Sequence, residues 1–120
     1  MRGEKYLTKS EQYASILSKG NAWVNSLLVM RVLPNELTLS RYGFSVSRRV
    51  GNAVVRNRVK RLLREILRVT SLKPGRDIVF VARPAAGSGD YAALKKSVES
   101  LLSRAQLLAR EYERVRFKTN

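Results

Sequence analysis

The alternation of apolar and polar positions changes period several times along the chain. Tyr13, Ile16 and Leu17 recur at helical spacing after Thr8-Lys9-Ser10-Glu11, where a Thr hydroxyl at the N-cap is followed three residues on by Glu. That pattern predicts a first helix over 9–19, with Gly20 as a left-handed stop. Trp23-Val24 and then Leu27 to Leu33 are rich in strand formers, with a bend at Asn25-Ser26. Pro34-Asn35-Glu36 reads as a turn. Tyr42, Phe44 and Val46 alternate with Gly43, Ser45 and Ser47, so this strand has one apolar face and one small, polar face. Gly51-Asn52 breaks the strand and caps the next segment.

From Ala53 to Arg68 the period becomes 3.6, with Val55, Val59, Leu62, Leu63, Ile66 and Leu67 on one stripe of a core-packed helix. Lys73-Pro74-Gly75 is a turn, and Ile78 to Ala82 is a continuous apolar run of the kind a buried strand shows. Pro84 to Gly89 reads as a loop and Asp90 as an N-cap. Leu94, Val98, Leu101, Leu102, Ala105 and Leu108 then mark a third helix. The order is α-β-β-α-β-α, with one strand more if Asn25 splits the first. Strand, helix and buried strand in succession imply a crossover within a mixed sheet. No internal repeat, low-complexity tract or linker divides the chain, so residues 1–120 read as one domain.

Composition narrows what such a domain can do. The 120 residues include 24 Lys and Arg against 9 Asp and Glu, a formal net charge of +15, with no His and no Cys. Without Cys there is no disulfide, thiolate nucleophile or Cys-based zinc site, which fits a reducing cytoplasm. Without His the usual general base and commonest metal ligand are gone. Asp77 and Asp90 stand apart, the Glu residues are scattered, and only Glu111 and Glu113 lie close together, near the C-terminus. A nuclease working through its own side chains would need a base or clustered carboxylates. The longest apolar stretch, Leu27 to Leu33, is interrupted by Arg31, so neither a signal peptide nor a membrane span is expected. The field attracts polyanions, by default nucleic acid.

The charge is concentrated. Residues 41–68 carry nine bases (Arg41, Arg48, Arg49, Arg56, Arg58, Lys60, Arg61, Arg64, Arg68) and one acid, Glu65. At about 100° per residue, Lys60, Arg64, Asn57, Arg68 and Arg61 fall opposite the apolar stripe within an arc of roughly 100°. Arg58 flanks that row across Val54, and Arg56 lies nearer the stripe. An ordinary solvated face would intersperse acids with bases, and this one does not. Arg outnumbers Lys, which favours bidentate phosphate contacts. No helix-turn-helix or zinc-finger spacing accompanies the helix, whereas a sheet with a polar face and nearby aromatics suits single-stranded RNA.

The uninterrupted block Gly43-Phe44-Ser45-Val46-Ser47-Arg48-Arg49-Val50-Gly51-Asn52-Ala53-Val54-Val55-Arg56-Asn57-Arg58-Val59-Lys60-Arg61-Leu62-Leu63-Arg64-Glu65 resembles the signature of the bacterial ribonuclease P protein subunit. Arg56-Asn57-Arg58 matches the family's Arg-Asn-Arg motif, and Ala82-Arg83-Pro84-Ala85 is similar to the segment after its last strand. The resemblance covers about residues 5–108 and leaves 109–120 as a C-terminal extension. It implies an α+β fold: a two-layer α/β sandwich like the second domain of ribosomal protein S5. Such a fold has a mixed sheet of three to four strands, three helices and a β-α-β crossover of the unusual left hand.

The resemblance also implies a division of chemistry. A catalytic RNA, using Mg2+ that it mainly binds itself, would hydrolyse the bond between the 5′ leader and the mature part of precursor tRNA. The protein would contribute no catalytic residue and no metal ligand. Arg48, Arg49, Arg56, Asn57, Arg58, Lys60, Arg61, Arg64 and Arg68 would contact RNA. Tyr13, Leu17, Arg31, Ser45 and Ser47 would line a cleft for the single-stranded leader, between the first helix and the sheet. Leu17 and Arg31 stand where the family commonly has aromatics, and the Arg31 guanidinium can still stack on a base or pair with phosphate. Tyr13 and Leu17 share a stripe with Ile16 and can equally serve core packing. Catalytic RNA and precursor tRNA are the expected partners, with no membrane and no obligate protein partner. The alternative is a ribosomal or ribosome-assembly protein on the same kind of basic fold; a stand-alone nuclease is disfavoured by the missing groups.

Overall fold

The computed structural model describes residues 6–109; residues 1–5 and 110–120, and with them nearly all of the proposed extension 109–120, lie outside the described residues. Helix α1 spans Ser10–Lys19, strand β1 Asn21–Val24, β2 Leu28–Pro34, β3 Arg41–Ser45, helix α2 Ala53–Arg68, β4 Arg76–Ala82 and helix α3 Tyr91–Arg104. The sheet order is β1-β2-β4-β3. The β1–β2 and β2–β4 pairs are antiparallel, while β3 and β4 are parallel and joined through α2. This is the mixed α+β sheet and crossover expected. Its inner strand, β4, is the one whose apolar run is continuous, because both edges and both faces are covered.

Asn25 does split the first strand region, and its side chain explains why. Its Oδ1 accepts from the backbone N–H groups of Leu27 and Leu28, at 3.2 and 3.0 Å, closing the hairpin turn locally. The same oxygen accepts from the Ser97 hydroxyl at 2.8 Å, and Nδ2 donates to the Ser97 carbonyl. The β1–β2 turn is thereby latched onto α3.

The two sheet faces are covered differently. Met30, Phe80 and Phe44 share one cross-strand row, and Val32, Ile78 and Tyr42 another. They meet Val59, Leu63, Ile66 and Leu67 of α2 and Leu94, Val98, Leu101 and Leu102 of α3 in the main core. On the opposite face α1 is the one helix among the described residues: Ile16 packs with Leu7 and Val79, and Tyr13, Leu17, Leu33 and Val81 are half-buried around them.

Several local expectations need correcting. The N-cap of α1 is Lys9 rather than Thr8, because Gln12, not Glu11, reaches back to accept from the backbone N–H groups of Thr8 and Lys9 at 3.2 and 3.1 Å. Gly20 ends the helix in an extended conformation, φ −70°, rather than a left-handed one. What demands glycine there is space: a Cβ would stand 2.5 Å from the Ile16 carbonyl oxygen and 3.0 Å from that of Val32. Pro84–Ser88 forms a short 3-10 helix rather than an irregular loop. Leu108 lies beyond α3, in an antiparallel bridge with Leu72, although it is as buried as the helical leucines. Periodicity reported its burial but could not report the turn at Gln106, whose φ is 58°.

Candidate nucleic-acid interface

Helix α2 starts where the sequence places it because two residues cooperate. Gly51 adopts φ 156°, and a Cβ there would lie 2.8 Å from the Val55 side chain. Asn52 then caps the helix, its Oδ1 accepting from the Val55 N–H at 3.0 Å. No acid occupies the first turn, so the positive end of the helix dipole is left uncompensated beside Arg48 and Arg49. Both of these arginines are exposed in the turn that follows β3.

The apolar stripe pulls α2 onto the sheet and thereby fixes the direction of the opposite face. Asn57, Arg61, Arg64 and Arg68 are exposed as their angular positions require, and Lys60 is half-buried beside them. The side chains of Arg48, Arg49, Lys60, Arg61, Arg64 and Arg68 make no hydrogen bond or ion pair with any described residue. Val54, 76% exposed, adds an apolar position between the azimuths of Arg58 and Arg61. The result is a ridge of cations open to a polyanion.

Three of the nine bases are placed otherwise. Arg41 forms a bidentate pair with Asp77, Nε to Oδ1 at 2.9 Å and Nη2 to Oδ2 at 2.7 Å, and Asn35 donates to the same carboxylate at 2.8 Å. The Asp77 hydrogen bond raises the Arg41 pKa further above its usual value. Arg56 is half-buried with its Nε shielded and unpartnered, as its place near the stripe foretold. Arg58 departs from the expectation of an outward contact. Its Nη1 donates to the Gly89 carbonyl at 2.9 Å and its Nη2 to that of Gly87, so it grips the 3-10 segment.

On the α1 face, register brings Arg31, Val79 and Gly43 into one row and Val29, Val81 and Ser45 into the next. Arg31 and Ser45 thus share a face with Tyr13 and Leu17, on strands separated by β4, about 10 Å apart. Tyr13 lies directly on β3: its hydroxyl occupies the space a Cβ of Gly43 would need, and it donates to the Leu7 carbonyl at 3.4 Å. Burial raises the Tyr13 pKa, partly offset by the Phe44 backbone N–H. Arg31 donates to the Gly20 carbonyl at 3.2 Å and so ties β2 to the end of α1. Tyr13 and Leu17 serve packing and line this face at once. Ser47 stands apart from the cleft set; its Oγ accepts from the Arg49 N–H at 3.4 Å and belongs to the basic turn. A cavity of about 430 Å³ opens on the other flank of α1, among Gln12, Ser15, Leu33 and Asp77, and none of the expected cleft residues lines it.

Gly43, Gly87 and Gly89 were not singled out in the sequence. A glycine opposite an aromatic across a helix–sheet contact leaves no periodic trace, and Gly87 and Gly89 were read only as part of a loop. Among the described residues no group of three or more His, Cys, Asp or Glu is placed to hold a metal ion. Asp77, the buried carboxylate, is already held by Arg41 and Asn35. The donor set of the described residues therefore does not fit a protein-held Mg2+. No helix among the described residues is long and apolar enough to cross a membrane.

Comparison with known proteins bears on this arrangement. The sequence matches the Ribonuclease P family over residues 1–106. It is 48% identical over 120 residues to the ribonuclease P protein component of Dehalococcoides mccartyi strain CBDB1, covering all of both chains. The corresponding protein of Caldanaerobacter subterraneus subsp. tengcongensis is 43% identical, over 84% of this chain and 89% of that one. Among solved structures, a mutant Staphylococcus aureus RNase P protein with defective mRNA degradation activity superposes with a TM-score of 0.83 at 31% identity, covering 90% of this chain and 93% of that one. The RNase P protein of Thermotoga maritima gives 0.76 at 28% identity, over 82% and 96%.

Proposed function

The chain belongs to the ribonuclease P protein family, and we propose on that premise that its two RNA-facing surfaces hold different RNAs. It is a protein subunit of the bacterial type of this ribonucleoprotein, acting in tRNA processing with an RNA partner, and the ribosomal alternative falls away. In our reading the basic turn and the α2 ridge engage the catalytic RNA. The face between α1 and the sheet receives the single-stranded 5′ leader of precursor tRNA. The partner RNA performs the endonucleolytic hydrolysis, with Mg2+ bound by RNA oxygens rather than by this chain. The setting is cytoplasmic.

One observation carries the reading: six cations run from the end of β3 along α2 with no hydrogen bond or ion pair to any described residue, on a chain with no His. Two polyanions repel each other, and a cationic wedge lowers that cost for both. The test is reconstitution. Precursor tRNA is incubated at low magnesium with the protein, with a bacterial ribonuclease P RNA, and with both. Stimulated cleavage at the mature 5′ end only in the mixture is the expected result. Cleavage by the protein alone, or no stimulation of the RNA, overturns the proposal.

A further inference from the structure

We propose that Arg58 acts in RNA binding from inside the protein, bracing the 3-10 segment Pro84–Ser88 against the Ser47–Gly51 turn and so fixing where Arg48 and Arg49 stand. This rests on the reading of the basic surface as the RNA interface. In the Arg-Asn-Arg segment the three side chains have three fates: Asn57 is exposed, Arg56 is half-buried with a shielded Nε, and Arg58 is half-buried with both terminal nitrogens hydrogen-bonded. The carbonyls it grips, of Gly87 and Gly89, belong to one short segment and converge on one guanidinium.

That segment is itself firmly seated. Ala86 is fully buried in the main core. Its N–H donates to the Arg83 carbonyl at 2.9 Å, and the Gly89 N–H to the Ala86 carbonyl at 3.1 Å. Gly87 lies so close to the Val50 carbonyl that any Cβ would collide with it. Val50 in turn is the buried corner of the basic turn, its N–H bonded to the Ser47 carbonyl at 3.1 Å while the Gly51 N–H bonds that of Arg48 at 3.2 Å. The chain of contacts runs from Arg58 through Gly87 to Val50, and Arg48 and Arg49 ride on the other side of that turn. A forked, planar donor is what two neighbouring carbonyls require; the single ammonium of Lys cannot satisfy both in the same geometry. Arg58 is therefore a positioning residue, and its charge is secondary to its shape.

The test is a double-mutant cycle read by binding to a transcript of a bacterial ribonuclease P RNA. Arg58→Lys keeps the charge and should weaken binding about fivefold, while in an Arg48→Ala/Arg49→Ala background the same change should cost less than about twofold. In the free protein, hydrogen exchange should show lost protection confined to the amides of Val50, Gly51, Ala86 and Gly89, with those of Leu63 and Phe80 unchanged. Wild-type affinity for Arg58→Lys, full additivity with the Arg48/Arg49 change, or loss of protection spread through α2 and β4 overturns the inference and leaves the interface reading intact. Undiminished binding by the Arg48→Ala/Arg49→Ala protein instead overturns the interface reading on which it rests.

Discussion

The α2 ridge and the α1 face, both proposed to meet RNA, are built on opposite principles. The ridge is one continuous helix face whose outward cationic side chains make no hydrogen bond or ion pair with any described residue. The α1 face is assembled from a helix and two non-adjacent strands, and its Tyr13 and Arg31 are held by backbone carbonyls of Leu7 and Gly20. Free cations bind strongly and with little discrimination, because counterion release is indifferent to sequence. Tethered groups present a fixed surface and discriminate by shape and stacking. On the reading proposed above, the ridge would supply affinity and the α1 face the distinction between a strand that has a leader and one that has not.

The largest effect should come from removing three ridge cations together. Arg61→Ala/Arg64→Ala/Arg68→Ala should weaken binding to the catalytic RNA on the order of a hundredfold at moderate salt. It should also flatten the log–log salt dependence by about two to three units, from an initial slope near −4 to −5. A slope as steep as wild type would mean that the ridge faces solvent in the complex. Tyr13→Ala should lose about tenfold in affinity for precursor tRNA and nothing for mature tRNA, with an unaltered salt slope. Equal losses for the two substrates would remove the contrast between the regions. Gly43→Ala should reproduce that selective loss without touching the ring chemically, because its Cβ displaces the Tyr13 hydroxyl. It should add a stability cost of about 1–3 kcal/mol, measurable by urea unfolding. Arg61→Ala alone should change the slope by about one unit, a small but countable part of the triple variant's effect.

The smallest effect concerns β3, the strand whose Gly43 faces α1 and whose Tyr42 faces α2. Burial and the hydrogen bond with Tyr6 raise the Tyr42 pKa well above its usual value, while Arg64 and Arg68 oppose the shift. A raised phenol pKa means that folding favours the neutral form. Its contribution is complete below about pH 10 and is lost as pH climbs through the interval between the unfolded and folded values. Urea unfolding at about pH 9 and 11 should show wild type losing more stability across that step than Tyr42→Phe. At neutral pH the variant should be less stable by about 0.5–1.5 kcal/mol.

The ridge was legible in the sequence because a helix converts spacing directly into direction: the bounds 53–68, the Asn52 cap and the exposed row Asn57, Arg61, Arg64 and Arg68 all followed from local pattern. The α1 face was only partly legible. Its members came from the family resemblance, and their tethering depends on contacts between distant segments that no period encodes. Arg58 shows the limit from the other side. Its angular position, at the flank of the row, admitted either an outward contact or an inward grip, and only the location of the Gly87 and Gly89 carbonyls decides between them. The displaced N-cap of α1 has a similar cause, since Gln12 and Glu11 offer the same kind of acceptor one residue apart.

The place of β4 in the sheet bears on how the chain acquires its shape during synthesis. Among the described residues it is the last strand to be made and yet the one to which both β2 and β3 are hydrogen-bonded. Until Ala82 has emerged, nothing larger than the β1–β2 hairpin can pair, and the apolar stripe of α2 has no completed sheet to cover. The basic helix is thus translated ahead of its own support, in surroundings full of competing RNA. Folding must close in one late, cooperative step, so truncations anywhere upstream of Ala82 should yield chains that aggregate or cling to nucleic acid rather than smaller working domains.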